Sequence, residues 1–427
     1  MSRTRDYDIV LWGATGFTGR YVAEYLAERY GDTDLNWAIA GRSSERLKDV
    51  RDRLVEINRA SAGIDVLTGD AFDPASLDAI AERTEVVCSC VGPYAEYGSN
   101  LVEACIERGT DYCDLTGEIH WMRRMIDLHH EEALDEEVRI VHGCGFDSVP
   151  SDLGTLLVQN YANEQFDTSC SSVDTYVSTS ASSMSGGTYA SITGTYDAMS
   201  GDSDARRAVR SPYSLAPEGE RTGPDDGVQL RPAYDDVVGQ WTAPFVFAII
   251  NEKVVRRSNA LLGYPWGRDF RYREVTPTGP GPTGALEATV TSFASALFGG
   301  AMSISPLRAL VSRFVHPNPG EGPSRDAVED NSFEVWLVGT GRGPGSDGEF
   351  TVEGRIAADR HLGYGATPWM VGEAAVCLAR GETDTPLPGG VLTPATGVGA
   401  PLADRLRDAG MTISVNRRSP PDRRRAR

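Results

Sequence analysis

Three glycines, Gly13, Gly16 and Gly19, have the spacing of a turn that can hold a phosphate. An apolar run at 9–12 predicts a buried strand before them, and a helical pattern follows at 21–26. In such a unit the first glycine turns the chain tightly, the second lets a pyrophosphate approach the backbone, and the third lets helix and sheet pack closely. The helix start offers unpaired N–H groups to the phosphates. The residues predicted to bind a dinucleotide in this turn are Gly13, Ala14, Thr15, Gly16, Phe17, Thr18 and Gly19.

The end of the second predicted strand, at 37–40, discriminates between the two nicotinamide dinucleotides. An acidic residue there would bind the ribose 2′-hydroxyl of NAD, but the chain continues with Gly41, Arg42 and Ser43. A guanidinium can bind a 2′-phosphate through paired charge-assisted hydrogen bonds, which contribute about 1.5–3 kcal/mol of binding free energy. We therefore predict NADP(H), with Arg42 and Ser43 at the 2′-phosphate. The alternative is that Arg42 is a surface arginine and the turn is merely structural.

Loops after two later strands are predicted to complete the cofactor site. The strands are expected at 64–68 and 85–91, and they are followed by Asp70 and by Gly92 and Pro93. Open α/β sheets bind ligands beyond the carboxyl ends of their strands. Asp70 is therefore expected near the adenine, and Gly92 and Pro93 near the nicotinamide ribose.

Ionisable side chains at the ends of these and neighbouring strands are candidates for chemistry. A hydride transfer holds the acceptor carbon about 3–3.5 Å from the donor and requires a proton donor beside it. Tyr94 and Asp147 are the preferred candidates for proton delivery or substrate orientation, and Asp114, Glu118 and His142 are secondary candidates. Local backbone hydrogen bonds that cap a loop would equally explain Asp114 and Asp147.

The charge balance limits the class of protein. The 427 residues include 61 acidic and 41 basic ones, which gives a net charge of −20, and Lys48 and Lys253 are the two lysines. This acidity argues against nucleic-acid binding. Acidic surfaces poor in lysine are typical of proteins that stay hydrated in molar salt, so the composition suggests a halophile. An acidic mesophilic enzyme from a GC-rich genome is the alternative.

Cysteine usage and hydropathy indicate a cytoplasmic protein. The seven cysteines are scattered, and no secretory signal precedes them. Reduced thiols are therefore expected. Neither a CxxC pair nor a paired zinc spacing occurs, so no metal site is predicted. No apolar run reaches the length of a membrane-spanning helix.

The order of predicted elements gives an α/β fold with an N-terminal Rossmann domain, a doubly wound parallel sheet, followed by an α+β domain. Residues 201–236 are rich in Gly, Pro and charge and are expected to form a long loop or lid. The expected segments are a Rossmann NADP-binding domain at 1–150, an α+β substrate domain at 151–365, a C-terminal segment at 366–415 that returns to the Rossmann domain, and a disordered arginine-rich tail at 416–427.

Two apolar stretches and the tail raise the question of lipid contact. Core packing is the default expectation for 243–250 and 293–311. The more specific alternative is that these stretches make peripheral contact with the plasma membrane. The tail could add about 1 kcal/mol per arginine near an anionic surface. A homodimer is left open.

Motifs along nearly the whole chain resemble the saccharopine dehydrogenase-like oxidoreductases, and within them the trans-acting enoyl reductase group. The resemblance begins with the glycine turn and the Ala-Gly-Arg that follows the second strand. The matching stretches are 13–19, 40–42, 92–94, 112–118, 145–152, 256–261, 320–324, 363–367 and 388–394.

The resemblance implies an NADP-dependent Rossmann domain and an α+β domain. It also implies reduction of an enoyl intermediate for a polyketide synthase that lacks a working reductase, in the synthesis of long-chain envelope glycolipids. Relatives in animals are associated with lipid droplets and membranes. The substrate would then be a small or carrier-bound lipid-like molecule. The family supplies no catalytic residue that can be transferred to this chain.

Three functions are compatible with the sequence. The first is transfer of a hydride from NADPH to a C=C or C=N bond of a lipid-related substrate. The second is amino-acid chemistry of the saccharopine type, for which Arg256, Arg257 and Arg271 could clamp substrate carboxylates. The third is a non-catalytic NADP-binding, lipid-associated protein, which would bind NADPH without consuming it.

Overall fold

Two seven-stranded β-sheets organise the protein. The structure is a computed structural model, and it describes residues 5–180, 186–309, 331–343 and 348–418. In chain order the strands are β1 Tyr7–Trp12, β2 Trp37–Gly41, β3 Asp65–Thr68, β4 Thr84–Ser89, β5 Asp111–Asp114, β6 Arg139–Val141, β7 Ser172–Thr179, β8 Ala233–Asp235, β9 Gln240–Pro244, β10 Arg271–Gly279, β11 Phe333–Arg342, β12 Glu349–Ala358, β13 Gly390–Leu392 and β14 Thr412–Arg417.

Helices cover the faces of these sheets. In chain order they are α1 Phe17–Tyr30, α2 Ser44–Ile57, α3 Pro74–Ala81, α4 Tyr94–Tyr97, α5 Ser99–Arg108, α6 Ile119–Asp135, α7 Val149–Phe166, α8 Gly186–Gly201, α9 Ser203–Arg210, α10 Ala248–Leu261, α11 Gly281–Ser303, α12 Thr367–Ala379, α13 Pro394–Gly397 and α14 Ala400–Asp408. A 3-10 turn at Arg59–Gly63 and a π-helical turn at Leu362–Ala366 also occur.

The first sheet is parallel throughout, in the order β13-β6-β5-β4-β1-β2-β3. Its central strand β1 is an uninterrupted apolar run at 9–12 because helices shield both faces. The strand order reverses between β1 and β4, where the chain passes from one half of the sheet to the other. Ligands of open α/β sheets bind at this reversal. The doubly wound Rossmann-like fold that the sequence predicts is confirmed.

The second sheet is mixed, in the order β14-β12-β11-β7-β10-β9-β8. The pair β7 and β10 is parallel, and the other pairs are antiparallel. Helix α7 links the two sheets and packs against β11 and β12. The expected domain boundary near 150 lies in the first turn of α7, whose early start is favoured by Pro150. The exact domain bounds stay a prediction.

The C-terminal segment is shared between the sheets. Helix α12 packs against α1, β1, β4 and β5, and β13 adds an edge strand to the first sheet, as expected for a segment that returns to the Rossmann domain. Strand β14 instead pairs with β12 in the second sheet. The expectation that 366–415 returns to the Rossmann domain is therefore wrong for its last residues, 412–415. The first two residues of the predicted disordered tail, 416 and 417, also belong to β14. Residues 419–427 lie outside the described part of the chain.

The predicted lid at 201–236 is partly regular structure. Asp202 accepts a hydrogen bond from the Asp204 N–H at 2.7 Å and begins α9, and β8 lies at the other end of the segment. A capping aspartate and about two turns of helix lie in a stretch whose Gly, Pro and charge predict a loop. The motif at 320–324 lies outside the described residues.

Candidate active site

The glycine turn has a backbone that fits a dinucleotide. Gly13 has a φ of +91°, in the left-handed region that favours glycine. A Cβ at Gly19 would lie 2.2 Å from the Gly13 carbonyl oxygen, so only glycine lets α1 pack this closely on the turn. At Gly16 the nearest atom to an added Cβ is that same oxygen, at 3.2 Å, which leaves the outer side of the turn open.

The N-terminus of α1 completes this phosphate site. Gly16 is the capping residue of α1, and no side chain caps the helix. The N–H groups of the first turn therefore remain available to an anion, and the helix dipole adds positive potential. The turn and the helix start fit the pyrophosphate of NADP(H).

Arg42 and Ser43 lie at the end of β2, where the 2′-phosphate of NADP(H) would bind. Arg42 is exposed at the end of β2, and within the described residues its guanidinium forms no hydrogen bond or ion pair. Ser43 Oγ accepts a hydrogen bond from the Arg46 N–H at 3.3 Å and so caps α2. That bond uses a lone pair of the oxygen, so the hydroxyl proton can still be donated. Both residues fit the role that the sequence predicts.

The predicted adenine residue Asp70 is exposed after β3, and its Oδ1 accepts a hydrogen bond from the Phe72 N–H at 2.9 Å. Phe72 itself is 61% exposed, and its ring lies edge-on to Tyr97 with the centroids 5.6 Å apart. These two rings lie beyond β3 and β4 and form an aromatic surface on the adenosine side of the turn. Our sequence reasoning missed both. Each of these aromatic residues follows a predicted strand within a few positions, and that spacing is the signal that could have identified them.

Tyr94 does not have the contacts expected of a proton donor. Its hydroxyl is buried, donates to the Ser89 carbonyl oxygen at 3.0 Å and accepts from the Leu115 N–H at 3.2 Å. Its ring stacks on Trp121. Burial raises the pKa of Tyr94 well above its usual range. In this structure the Tyr94 proton is directed to a backbone carbonyl, and the side chain holds the loop that follows Pro93. A catalytic role for Tyr94 stays a prediction, and these contacts favour it less than a free hydroxyl would.

Glu118 connects this same loop to helix α8. Its carboxylate accepts hydrogen bonds from the N–H groups of Tyr94 at 2.8 Å and Ala95 at 2.9 Å. The Ser191 hydroxyl, on α8, donates to it at 2.7 Å. Burial raises the pKa of Glu118. With three donors aimed at its oxygens, Glu118 positions the loop and is not free to deliver a proton.

Asp114 and His142 form a buried pair at the carboxyl ends of β5 and β6. Asp114 Oδ2 and His142 Nδ1 are 2.8 Å apart, and Asp114 Oδ1 accepts from the N–H groups of Thr116 at 3.0 Å and Gly143 at 3.1 Å. Neither side chain lines the cavity described next. The loop-capping alternative for Asp114 therefore describes its geometry.

A cavity of about 280 Å³ opens beside the N-terminus of α1. Its wall is largely apolar, with polar groups from α1, the loop after β6, β7, α8 and the turn that leads into α12. The lining residues are Thr18, Leu115, Gly145, Phe146, Asp147, Thr179, Thr188, Phe245, Val246, Phe247, His361, Leu362, Gly363, Tyr364 and Thr367. Since Thr18 belongs to the glycine turn, the cavity begins where the phosphate site ends.

Asp147 is the carboxyl group of this cavity. It is half-buried, and within the described residues no hydrogen bond reaches its carboxylate. A Cβ placed on Gly117 would lie 3.3 Å from Asp147 Oδ2, so the glycine makes room for it. Burial raises the pKa of Asp147 to about 7. An acid with this pKa can hold a proton at neutral pH and release it to a substrate.

Comparison with known proteins agrees with this geometry. The sequence profile of the saccharopine dehydrogenase NADP binding domain matches residues 9–141. A trans-acting enoyl reductase of Mycobacterium tuberculosis is 38% identical over 430 residues, which cover 97% of this chain and 99% of the relative. One from Mycobacterium ulcerans is 35% identical over 431 residues, with the same coverage. The chain belongs to the saccharopine dehydrogenase-like oxidoreductases, in their trans-acting enoyl reductase group.

A solved structure supports the fold of this family member. The apo saccharopine dehydrogenase (L-Glu forming) from Saccharomyces cerevisiae superposes with a TM-score of 0.55, over 96% of this chain and 99% of that one. The sequence identity is 13%, so the likeness shows the fold alone.

Membership of this family and the match to its NADP binding domain show that the protein is an NADP-dependent oxidoreductase. The prediction of NADP as its cofactor is confirmed.

Two further residues of the cavity were missed by our sequence reasoning. The ring of His361 stacks on Tyr364 at 4.9 Å, and Tyr364 lies edge-on to Phe17 of the glycine turn, also at 4.9 Å. These rings link the second half of the chain to the cofactor turn. The stretch 363–367 already stood out among the motifs of the resemblance, but its distance along the chain concealed its place beside Phe17.

Proposed function

We propose that this oxidoreductase reduces the C=C bond of an enoyl intermediate of the lipid or polyketide type. The observation that carries the proposal is the position of Asp147, a carboxyl with a raised pKa on the wall of an apolar cavity next to the cofactor turn. Reduction of a conjugated bond needs a hydride on one carbon and a proton on its neighbour. A C=N acceptor would need the same two groups.

Separate residues would bind the cofactor, deliver the proton and hold the substrate. The glycine turn and Arg42 would hold NADP(H), which supplies the hydride when bound. Asp147 gives its proton to the substrate beside the carbon that has been reduced. The apolar residues Phe245 and Phe247 hold an acyl-type chain and exclude water from the cavity. The cavity has room for the reacting end of a substrate, with the rest of a long chain extending through its mouth.

The saccharopine-type alternative is less favoured by the placement of the arginines. Arg256 is buried and paired with Glu252 and Asp225, each at 2.9 Å. Arg257 is buried and donates to two backbone carbonyls, those of Leu215 and Val391. Arg271 is mostly exposed on the second sheet. None of these arginines lines the cavity at Asp147, so the three do not form a clamp for substrate carboxylates there.

The biological setting of the reaction is also a proposal. A carrier-bound substrate, a role in glycolipid or membrane-lipid synthesis, and a place in the cytoplasm with peripheral contact to the plasma membrane follow from the kind of substrate proposed. In the described part of the chain, no helix combines the length and hydropathy needed to cross a membrane.

The proposal is tested by following NADPH oxidation with a series of 2-enoyl thioesters of increasing chain length. Asp147→Asn should lower kcat about 10²–10⁴-fold while the Kd for NADPH stays nearly unchanged, because the amide cannot supply the proton. Asp147 must be protonated to act, so wild-type kcat/KM should be full below about pH 7 and fall above it. An unchanged kcat in the variant, or a profile that rises above neutral pH, would contradict the role of Asp147. NADPH that binds and is never consumed would favour the non-catalytic alternative.

A further inference from the structure

Helix α8 has two hydroxyl side chains on one side, and each of them contacts a different part of the site. Thr188 lines the cavity that holds Asp147. Ser191 follows one turn later, and its hydroxyl donates a hydrogen bond to Glu118 Oε1 at 2.7 Å. Residues three positions apart in a helix lie on the same side of it. The same side of α8 therefore forms part of the cavity wall and contacts the carboxylate that fixes the loop after β4.

A single carboxylate oxygen joins α8 to that loop. Glu118 Oε1 accepts a hydrogen bond from the Tyr94 N–H at 2.8 Å as well as the one from Ser191. The other oxygen, Oε2, accepts from the Ala95 N–H at 2.9 Å. Ser191 also lies close to the loop itself, since a Cβ added to Gly92 would lie 3.7 Å from Ser191 Oγ. This loop is the one expected at the nicotinamide ribose, so α8 is held directly against the cofactor side of the site.

The Glu118 carboxylate depends on these neutral donors. It is 2% exposed, and in the described part of the chain no cation forms an ion pair with it. Two of its donors belong to the loop, and the third belongs to α8. A buried charge that loses a hydrogen-bond donor is left partly unsatisfied, which costs free energy. The arrangement in which α8 stays bonded to Glu118 is therefore favoured.

The chain segment that contains Glu118 also contacts the proposed proton donor. Gly117 precedes Glu118, and a Cβ added to Gly117 would lie 3.3 Å from Asp147 Oδ2. Asp147, the cofactor loop and the cavity wall of α8 thus meet around two consecutive residues. The hydrogen bond from Ser191 to Glu118 sets how far the substrate side of this arrangement lies from the cofactor side.

We propose that Ser191 is a positioning residue that couples the cofactor loop to the substrate cavity through Glu118. Its effect on catalysis rests on the proposed function. Ser191 holds α8 at a fixed distance from the loop, so that an acceptor packed against α8 lies within reach of the hydride. The rate of the transfer depends steeply on this distance. A cofactor that orders the loop also orders α8, so binding of NADP(H) prepares the cavity for the substrate.

The first experiment separates the Ser191 hydroxyl from the size of the side chain. Ser191→Cys keeps nearly the same size but is a weak donor, whereas Ser191→Thr keeps the hydroxyl. With a 2-enoyl thioester, Ser191→Cys should lower kcat about 10–100-fold and change the Kd for NADPH by less than about twofold. Ser191→Thr should retain most of the wild-type kcat.

The matched control for these variants is Ser200→Ala. It removes a hydroxyl of the same helix that donates to the Tyr196 carbonyl oxygen at 2.8 Å and lies away from the loop, so kcat should not change. An unchanged kcat in Ser191→Cys, or an equal loss in Ser191→Thr and Ser191→Cys, would overturn the proposal.

The second experiment needs no turnover. In the wild type, NADPH should slow amide hydrogen exchange in α8, at 188–199, by about fivefold or more, in addition to exchange in the glycine turn at 13–19. Ser191→Cys should keep the protection of the glycine turn and lose that of α8. Protection of α8 that survives in the variant, or never appears in the wild type, would reject the coupling even if the enzyme reduces enoyl thioesters. The expected exchange pattern without turnover on any acceptor would retain the coupling and reject the proposed reaction.

Discussion

At the scale of single residues, we predict that Arg42 decides cofactor preference. Its exposed guanidinium has no partner among the described residues, so it can meet a 2′-phosphate without breaking another contact. Arg42→Ala should weaken NADPH binding by about 1.5–3 kcal/mol and leave NADH binding nearly unchanged. Fluorescence titration with both cofactors measures this. Equal losses for NADPH and NADH, or tighter binding of NADH by the wild type, would show that Arg42 does not read the phosphate.

The candidate residues also show where sequence reasoning ends. Tyr94 and Asp147 both follow predicted strands, and sequence alone gave them equal standing. The structure separates them because the Tyr94 hydroxyl meets the Ser89 carbonyl and the Leu115 N–H. Asp147 meets an apolar cavity wall that comes largely from later segments, including Phe245. Burial and hydrogen bonding of a side chain depend on partners that are distant along the chain, and those partners are not visible in a local pattern.

At the scale of elements, most strands could be predicted from local patterns, but the sheet that a closing strand joins could not. The buried runs of β1 and β2 are local signals, and both strands formed near their expected positions. The three residues of β13 carry little periodicity of their own. The strand-like run at 411–415 predicts β14, but it does not predict the pairing of β14 with β12. The places of β13 and β14 in two different sheets are set by packing of the whole fold.

Helix α11 carries an apolar stripe that fits the proposed lipid contact. Leu286, Val290, Phe293 and Leu297 recur at helical spacing and are 58–70% exposed, and Glu287 is the one ionisable residue of the helix. Exposed patches of this kind mark interaction surfaces. The expectation of core packing is therefore wrong for the outer face of this helix, because its buried side is formed by small residues such as Gly284 and Ala288.

The stripe gives a direct test of peripheral contact. The double variant Phe293→Asp, Leu297→Asp should keep its NADPH affinity and lose sedimentation with phospholipid vesicles. Thr283→Asp adds a negative charge at an exposed position near the helix start, away from the stripe, and serves as the control. Vesicle binding that survives the double change would contradict the assignment. A change in oligomeric state without a change in vesicle binding would assign the stripe to a homodimer.

At the scale of the whole molecule, the charge of −20 predicts dependence on salt. Repulsion among carboxylates opposes the compact state in dilute buffer, and it is screened within about 3 Å at 1 M ionic strength. The melting temperature and the activity should therefore rise steeply between dilute buffer and roughly 1 M KCl or above. Thermal melts across this range provide the measurement. A melting temperature that is the same at both ends would support the mesophilic alternative.

The central claim is that this NADP-dependent oxidoreductase reduces an enoyl C=C bond with a proton from Asp147. Product analysis by mass spectrometry and NMR tests it most directly, with NADPH deuterated at the hydride position and a 2-enoyl thioester in ordinary water. The account predicts deuterium at the β-carbon of a saturated product, a solvent-derived proton at the α-carbon, and loss of most of this product in Asp147→Asn. Unlabelled product, deuterium at any other carbon, or full product formation by Asp147→Asn would contradict it.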